Sequence, residues 1–370
     1  MVYVGILLVM VLLRLCLPQD TQKNRRIFVG TCCMLFVLFA ACRAPEVGRD
    51  TALFLDVFDK LHGRGFLDTQ IFSSWVEPGF RLLCWLLAQF TSNGQWLVVV
   101  TSVIIHVSVC VFIYRHTQNP YLACFLYLTL MLYPWYLNVM RQALAISVLL
   151  FAWGAFRQKH FLRFSFLVLL AATFHTSALM FLLCPLLTLI PVSKKSLRIL
   201  LPATVLLAVA GAVFVRPLLG WVTALLPRYA DYEPTTFLAL YGFLALFVIV
   251  TGYGVWRLYY AKTATTAEII KGRVDECGFL TLMMLIGVVV AAMMTQFGQL
   301  QRVFNYFEVF YLLWLPMVVP PAFFEKKHKH LAFPVVEIVV LLVALAYFFF
   351  ILFARSALWY DALPYRFFWQ

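Results

Sequence analysis

Charge is scarce in this chain. Only 12% of its 370 residues are Asp, Glu, Lys or Arg, about half the share of a soluble domain. Signatures of nucleotide and nucleophile chemistry are missing too. There is no Walker loop, no glycine-rich dinucleotide turn, no paired CxxC and no Ser-His-Asp order, which excludes an ATP-driven pump. The nine cysteines fall in apolar segments without metal-ligand or disulfide-framework spacing, and read as small buried hydrophobes. No internal repeat, low-complexity tract or soluble domain interrupts the chain.

Apolar sequence is what the chain has. It is 64% hydrophobic, with a mean hydropathy of +0.91. The expectation is an all-α, polytopic membrane protein forming one helical domain over residues 1–370. A span needs roughly 20 apolar residues. Candidate runs are 2–17, 27–42, 96–114, 120–137, 139–156, 161–174, 176–191, 199–215, 236–256, 277–295, 303–321 and 331–354, about twelve in all. The first lacks a small-residue cleavage site and reads as a span, not a signal peptide. The run 79–90 would rise only about 18 Å as a helix, so it reads as re-entrant or surface-lying.

The net charge of +13 sits in short loops and does not indicate nucleic acid. Basic clusters occur at Lys23/Arg25/Arg26, Arg157/Lys159/Arg163, Lys194/Lys195/Arg198, Arg257/Lys262/Lys271/Arg273 and Lys326/Lys327/Lys329. If 79–90 does not cross, all five fall on the cytoplasmic side and both termini lie outside. The remaining polar groups then gather at the outer face, at the junctions holding Arg43 to Asp50, Glu77 and Arg81, Asn138 to Gln142, His175, Arg216, and Gln296 to Arg302. Many sit at span ends, where charge is costly and usually functional.

The outer loop 43–78 holds four basic and six acidic residues. Within it, 51–61 has the spacing of an amphipathic helix, with Asp50 as N-cap and Gly63-Arg-Gly65 as terminator. Asp56 and Asp59 lie on its polar face with no third ligand, so no metal is expected. Residues 216–233 read as a second flat element, and the aromatic tail 355–370 as an interfacial belt.

The junction Tyr133-Pro-Trp-Tyr-Leu-Asn138-Val-Met-Arg141-Gln142 carries the sharpest signal. Pro134 breaks one helix, Asn138 is placed to N-cap the next, and Arg141 falls in its first turn. A guanidinium beside free helix N–H groups suits an anion; an arginine snorkelling to lipid headgroups is the alternative. Glu77-Pro78-Gly79 puts a carboxylate at a helix start, either satisfying that start or, with a raised pKa, acting as a base. His175 reads equally as a structural residue or a functional one. Arg302, Asn305 and Glu308 begin the eleventh run, and Glu308 needs a partner or a proton.

In these residues the chain resembles the EpsG/Wzy-type family of bacterial polysaccharide polymerases. The resemblance rests on Arg43 with Val47-Gly48-Arg49-Asp50-Thr51, Glu77-Pro78-Gly79, Arg141-Gln142-Ala-Leu-Ala-Ile146, Phe174-His175-Thr-Ser177, and Arg302 with Tyr306-Phe307, in order over about residues 20–320. A Tyr usual after the Asp-Thr stretch is replaced here by Phe54 or Leu55, and that position is given no role.

The resemblance implies a GT-C-like membrane glycosyltransferase in the bacterial inner membrane, working at the extracytoplasmic side. Its substrate would be oligosaccharide repeat units on undecaprenyl diphosphate, with membrane lipid and other polysaccharide-assembly proteins as partners and no cofactor. Arg141, His175, Glu77 and Asp50 would be catalytic. Arg43, Arg49, Gln142, Arg216, Arg302 and Asn305 would bind diphosphate or glycan. An O-antigen ligase-type transferase and a flippase of the lipid-linked unit are the alternatives; a flippase would line a midplane pathway with its charges.

Overall fold

The computed structural model describes residues 2–17, 20–61, 63–65, 76–117, 119–225, 238–260, 264–319, 332–355 and 363–370. In chain order its helices are α1 Val2–Cys16, α2 Gln22–Ala41, α3 Thr51–Leu61, α4 Pro78–Ala88, α5 Gln95–His116, α6 Pro120–Thr129, α7 Leu132–Asn138, α8 Met140–Arg157, α9 Phe161–Ala172, α10 Cys184–Leu187, α11 Lys194–Leu225, α12 Leu238–Tyr259, α13 Ala264–Met294, α14 Gln301–Glu308, α15 Tyr311–Val318 and α16 Ala332–Phe350. A 3₁₀ stretch, Thr176–Leu183, precedes α10.

Among the described residues six helices are long and apolar enough to cross a membrane, or seven if the bent pair α6–α7 counts as one span. The reading of about twelve spans included runs that fold as shorter pieces. α1 has 15 residues and α9 has 12. Over its described residues the run 303–321 falls on two eight-residue helices, α14 and α15. α8 is long enough, but Arg141, Gln142 and Arg157 at its ends lower its apolarity. α4 has 11 residues, about 16 Å of rise, as its short apolar run requires.

The residues cluster into two compact units. The first holds Met1–Leu182 and Val319–Gln370, the second Leu183–Val318. In the first, α2 is capped by Thr21, whose hydroxyl accepts from the Asn24 N–H at 3.1 Å, and α6 by Asn119 with Pro120 at its first position. α2 and α5 run antiparallel. At one end Arg26 Nε donates to the Tyr114 hydroxyl at 2.9 Å, and Arg157 Nη1 meets His116 Nδ1 at 2.9 Å. At the other, Gln95 Nε2 donates to the carbonyls of Ala41 and Arg43. Basic loops thus share one end of this unit, and the residues of the Arg43 and Arg141 junctions the other.

The chain breaks between α6 and α7 at Met131, whose φ is +65°, bending the pair by 52°. The break therefore falls three residues before Pro134, which fits into the first turn of α7. The amphipathic helix is α3. It buries Phe54, Phe58 and Leu61, the 4- and 3-residue spacing of one helical face, and Gly63 with φ +72° follows its end. The tail does more than belt the surface. Ala44 N–H donates to the Arg366 carbonyl at 2.9 Å and Phe368 N–H to Cys42 O at 3.0 Å, an antiparallel bridge between Arg43 and Phe367.

In the second unit α12 and α13 pack with α14 and α15 around Trp314, whose Nε1 donates to Thr281 Oγ1 at 3.2 Å. Thr251 and Tyr311 share a hydroxyl hydrogen bond of 2.7 Å. α11 continues through Arg216 and Pro217 to Leu225, so the flat element expected from 216 begins as transmembrane-type helix. Its remainder lies outside the described residues, as do parts of loop 43–78 and of the tail, Lys262, and the cluster Lys326/Lys327/Lys329.

Candidate functional site

Three side chains from three separate junctions converge in the first unit. Glu77 occupies the N-cap position of α4 but makes no capping hydrogen bond there. Its carboxylate turns away and pairs with the Arg141 guanidinium through Nη1. The other carboxylate oxygen lies 3.1 Å from His175 Nδ1 and 3.4 Å from the Thr176 N–H. The side chains of Arg141, Glu77 and His175 are 15%, 14% and 17% exposed, so the cluster is sheltered yet reachable.

The backbone holds these groups in place. Gly79 N–H donates to the Thr173 carbonyl at 2.8 Å, which fastens the start of α4 to the end of α9, two residues before His175. An added Cβ at Gly79 would come within 2.3 Å of Thr173 Oγ1 and 2.8 Å of its carbonyl oxygen, so only glycine permits this approach. Beneath Arg141, the Phe54 ring of α3 lies 5.2 Å from the guanidinium carbon, a cation–π distance, and Phe54 packs on Phe80 of α4 at 4.9 Å.

A second clamp joins the 47–51 turn to the α7–α8 junction. Gly48 has φ +95° and sits so close to Leu137 that a Cβ would lie 2.4 Å from the Leu137 carbonyl oxygen. Asn138 Oδ1 accepts from the Arg49 N–H at 2.9 Å, and its Nδ2 donates to the Pro134 carbonyl at 3.1 Å. Asn138 is thus not the N-cap of α8. Val139 takes that position with no side-chain bond, because the Asn138 amide is already committed to the turn.

The electrostatics answer the question about Glu77. Burial pushes its carboxyl up, but the His175 hydrogen bond and the Arg141 charge more than offset this and hold it at about 2. Glu77 is therefore ionised, and the raised pKa that a base in this position requires is absent. An ionised carboxylate accepts only, so His175 donates through Nδ1–H. In the uncharged tautomer with the proton on Nδ1, the lone pair is on Nε2.

The other sequence-derived residues fall as follows. Gln142 is buried beside Arg141 in the first turn of α8. Arg49 is exposed and Asp50 half-buried; the Asp50 carbonyl receives the Phe54 N–H at 3.1 Å as α3 begins. Arg43 is 2% exposed, its Nη1 donating to Ala40 O at 2.6 Å and Ser102 Oγ at 3.0 Å, so it ties α2 to α5 beneath the tail. Arg216, Arg302 and Asn305 belong to the second unit. Arg216 Nε donates to the Gln296 carbonyl at 3.4 Å. Asp56 pairs with Lys60 at 2.5 Å, and among the described residues no three His, Cys, Asp or Glu side chains form a metal-binding group.

Phe54, Thr173 and the clamp role of Asn138 were missed from sequence. Phe54 lies on the apolar face of α3, which identifies burial but not the cation above it.

The EpsG family model matches residues 26–367, which covers all these junctions, and the chain belongs to the EpsG family. No curated protein and no solved structure matches it. Family membership and apolar helices together describe a multi-pass membrane protein of polysaccharide-polymerase type.

Proposed function

We propose that this EpsG-family chain polymerises polysaccharide by transferring a growing glycan from undecaprenyl diphosphate to a lipid-linked repeat unit at the extracytoplasmic face of the bacterial inner membrane. The observation that carries the reading is the meeting of Arg141, Glu77 and His175, drawn from three distant junctions into one sheltered cluster. Each has a part in such a transfer. His175 Nε2 takes the proton of the acceptor sugar hydroxyl as its oxygen bonds the donor's anomeric carbon. The bond from that carbon to the phosphate oxygen breaks, and undecaprenyl diphosphate leaves with the electron pair. Negative charge grows on the leaving group, where a preorganised guanidinium stabilises the transition state more than the ground state.

Glu77 does not move a proton in this scheme. It fixes the His175 tautomer and favours the imidazolium that forms, while holding Arg141 in place between itself and the diphosphate. The lipid's polyprenyl tail would lie along the apolar helices in a GT-C-like arrangement. Gln142 follows Arg141 in α8, and the turn that carries Arg49 and Asp50 is held to Asn138 just before that helix; Arg49 and Gln142 are assigned to diphosphate or glycan contacts, and Asp50 to catalysis.

The test is the host's glycan when the chain is deleted. A polymerase leaves single repeat units still attached to their final acceptor. An O-antigen ligase leaves long polymer that fails to attach, and a flippase leaves units on the cytoplasmic side. Either of the last two patterns overturns the reading.

A further inference from the structure

The Asn305 side chain is 1% exposed, and neither its Nδ2 nor its Oδ1 has a hydrogen-bond partner among the described residues. A buried amide in that state is expensive, because each unmet donor or acceptor keeps its full desolvation penalty. Leucine has the same branched heavy-atom skeleton and carries no such cost, so an amide here points to something other than stability.

The surroundings support a site. Arg302, Asn305 and Glu308 succeed one another at three-residue steps along α14, which places them on one side of the helix. Glu308, at the end of that stripe, is half-buried. Directly after it the helix breaks. Val309 and Phe310 are 2% and 3% exposed, and Phe310 N–H and Leu312 N–H bond to carbonyls three residues back, at Phe307 and Val309. Broken helices in membrane proteins are tolerated where the protein buries them or where they line a cavity, and they commonly frame binding sites.

We infer that the α14 stripe of the second unit is a sugar subsite, in which Asn305 exchanges hydrogen bonds with hydroxyl groups of the lipid-linked glycan. The chemistry selects the ligand. An amide both donates and accepts, as a sugar hydroxyl does, whereas an ionised phosphate would leave Oδ1 unmet. The choice of a glycan rests on the polymerase reading; the presence of a hydroxyl-binding amide rests on Asn305 alone.

Two measurements on Asn305→Leu test this: the unfolding temperature of the purified protein, and its kinetics with lipid-linked repeat units extracted from a host lacking this chain. The expected result is an unchanged or higher unfolding temperature, with at least a tenfold rise in the KM for those units. The units should also raise the unfolding temperature of wild type but not of the variant. A lower unfolding temperature in a variant with unchanged KM would show that Asn305 serves an internal structural bond, such as one to a buried water, and overturns the inference. A stabilised variant with unchanged KM overturns it equally. Should Asn305→Leu fail to fold, Asn305→Ser decides, with a raised KM expected and an unchanged one contradictory. Polymerisation of the units by Asn305→Leu with the KM of wild type refutes the subsite alone. Wild type that is stabilised by them through Asn305, yet makes no polymer, refutes the polymerase reading alone.

Discussion

At the scale of single residues, the ionised Glu77 is the hub of the cluster, and its substitutions separate the roles around it. Arg141→Lys keeps the charge but loses the planar fork. Removing one preorganised donor costs on the order of 100- to 1000-fold in rate, and Lys should recover little of it. Chains longer than one repeat should nearly vanish at unchanged protein level, read from a glycan gel beside an immunoblot. An arginine that only anchors to headgroups predicts normal polymer, because Lys snorkels equally well. Glu77 also predicts a pH dependence. Its folded pKa of about 2 lies below the ordinary 4.5, so the stability it contributes is fully present above about 4.5 and disappears as pH falls from there towards 2. The unfolding temperature of wild type should drop across that window more steeply than that of Glu77→Gln; parallel curves would remove the ion pair from the account. Arg141 and His175 stand out in the sequence as polar residues at span ends. Glu77 stands out with them, but nothing local to Glu77-Pro78-Gly79 tells whether the carboxylate caps α4 or leaves it.

At the scale of elements, two glycine contacts set the cluster's geometry. Gly79→Ala forces the start of α4 off Thr173 and carries Glu77 away from His175. Gly48→Ala combines an unfavourable φ of +95° with a 2.4 Å approach to the Leu137 carbonyl, displacing the start of α3 and with it Phe54. Each should lower polymer yield at least about tenfold, since a displacement near 1 Å at a reacting centre costs on the order of 100-fold. Gly63→Ala, also at positive φ but with nothing within 4 Å, is the control and should retain near-normal yield. Equal effects from all three would mean that backbone strain in general, not placement of the cluster, is being measured. The amphipathic α3 and the short α4 were legible because their apolar spacing is local. The breaks at Met131 and Phe310 were not. Proline marks the first only approximately, and no residue type marks the second, so both long apolar runs read as unbroken spans.

At the scale of the whole molecule, the sequence shows a membrane protein through its apolar runs but not which of the runs cross, because a buried short helix and a crossing helix look alike in composition. The basic loops predict the orientation, and Arg26, Tyr114, His116 and Arg157 lie together at one end of the first unit. Reporter fusions after Arg26, Lys159 and Lys195 should report cytoplasm, and one at Gly63 should report the outside. A cytoplasmic Gly63, or an outward Lys159, would place the Glu77 cluster on the wrong side of the membrane for an extracytoplasmic polymerase.

The central claim is that the Glu77–Arg141–His175 cluster joins repeat units, and the most direct measurement is product length from purified protein in vesicles supplied with extracted single-repeat lipid-linked units. Wild type should build a ladder of chains, and Glu77→Gln, folded and inserted to the same level, should leave single units almost untouched. A ladder from Glu77→Gln matching that of wild type would contradict the account.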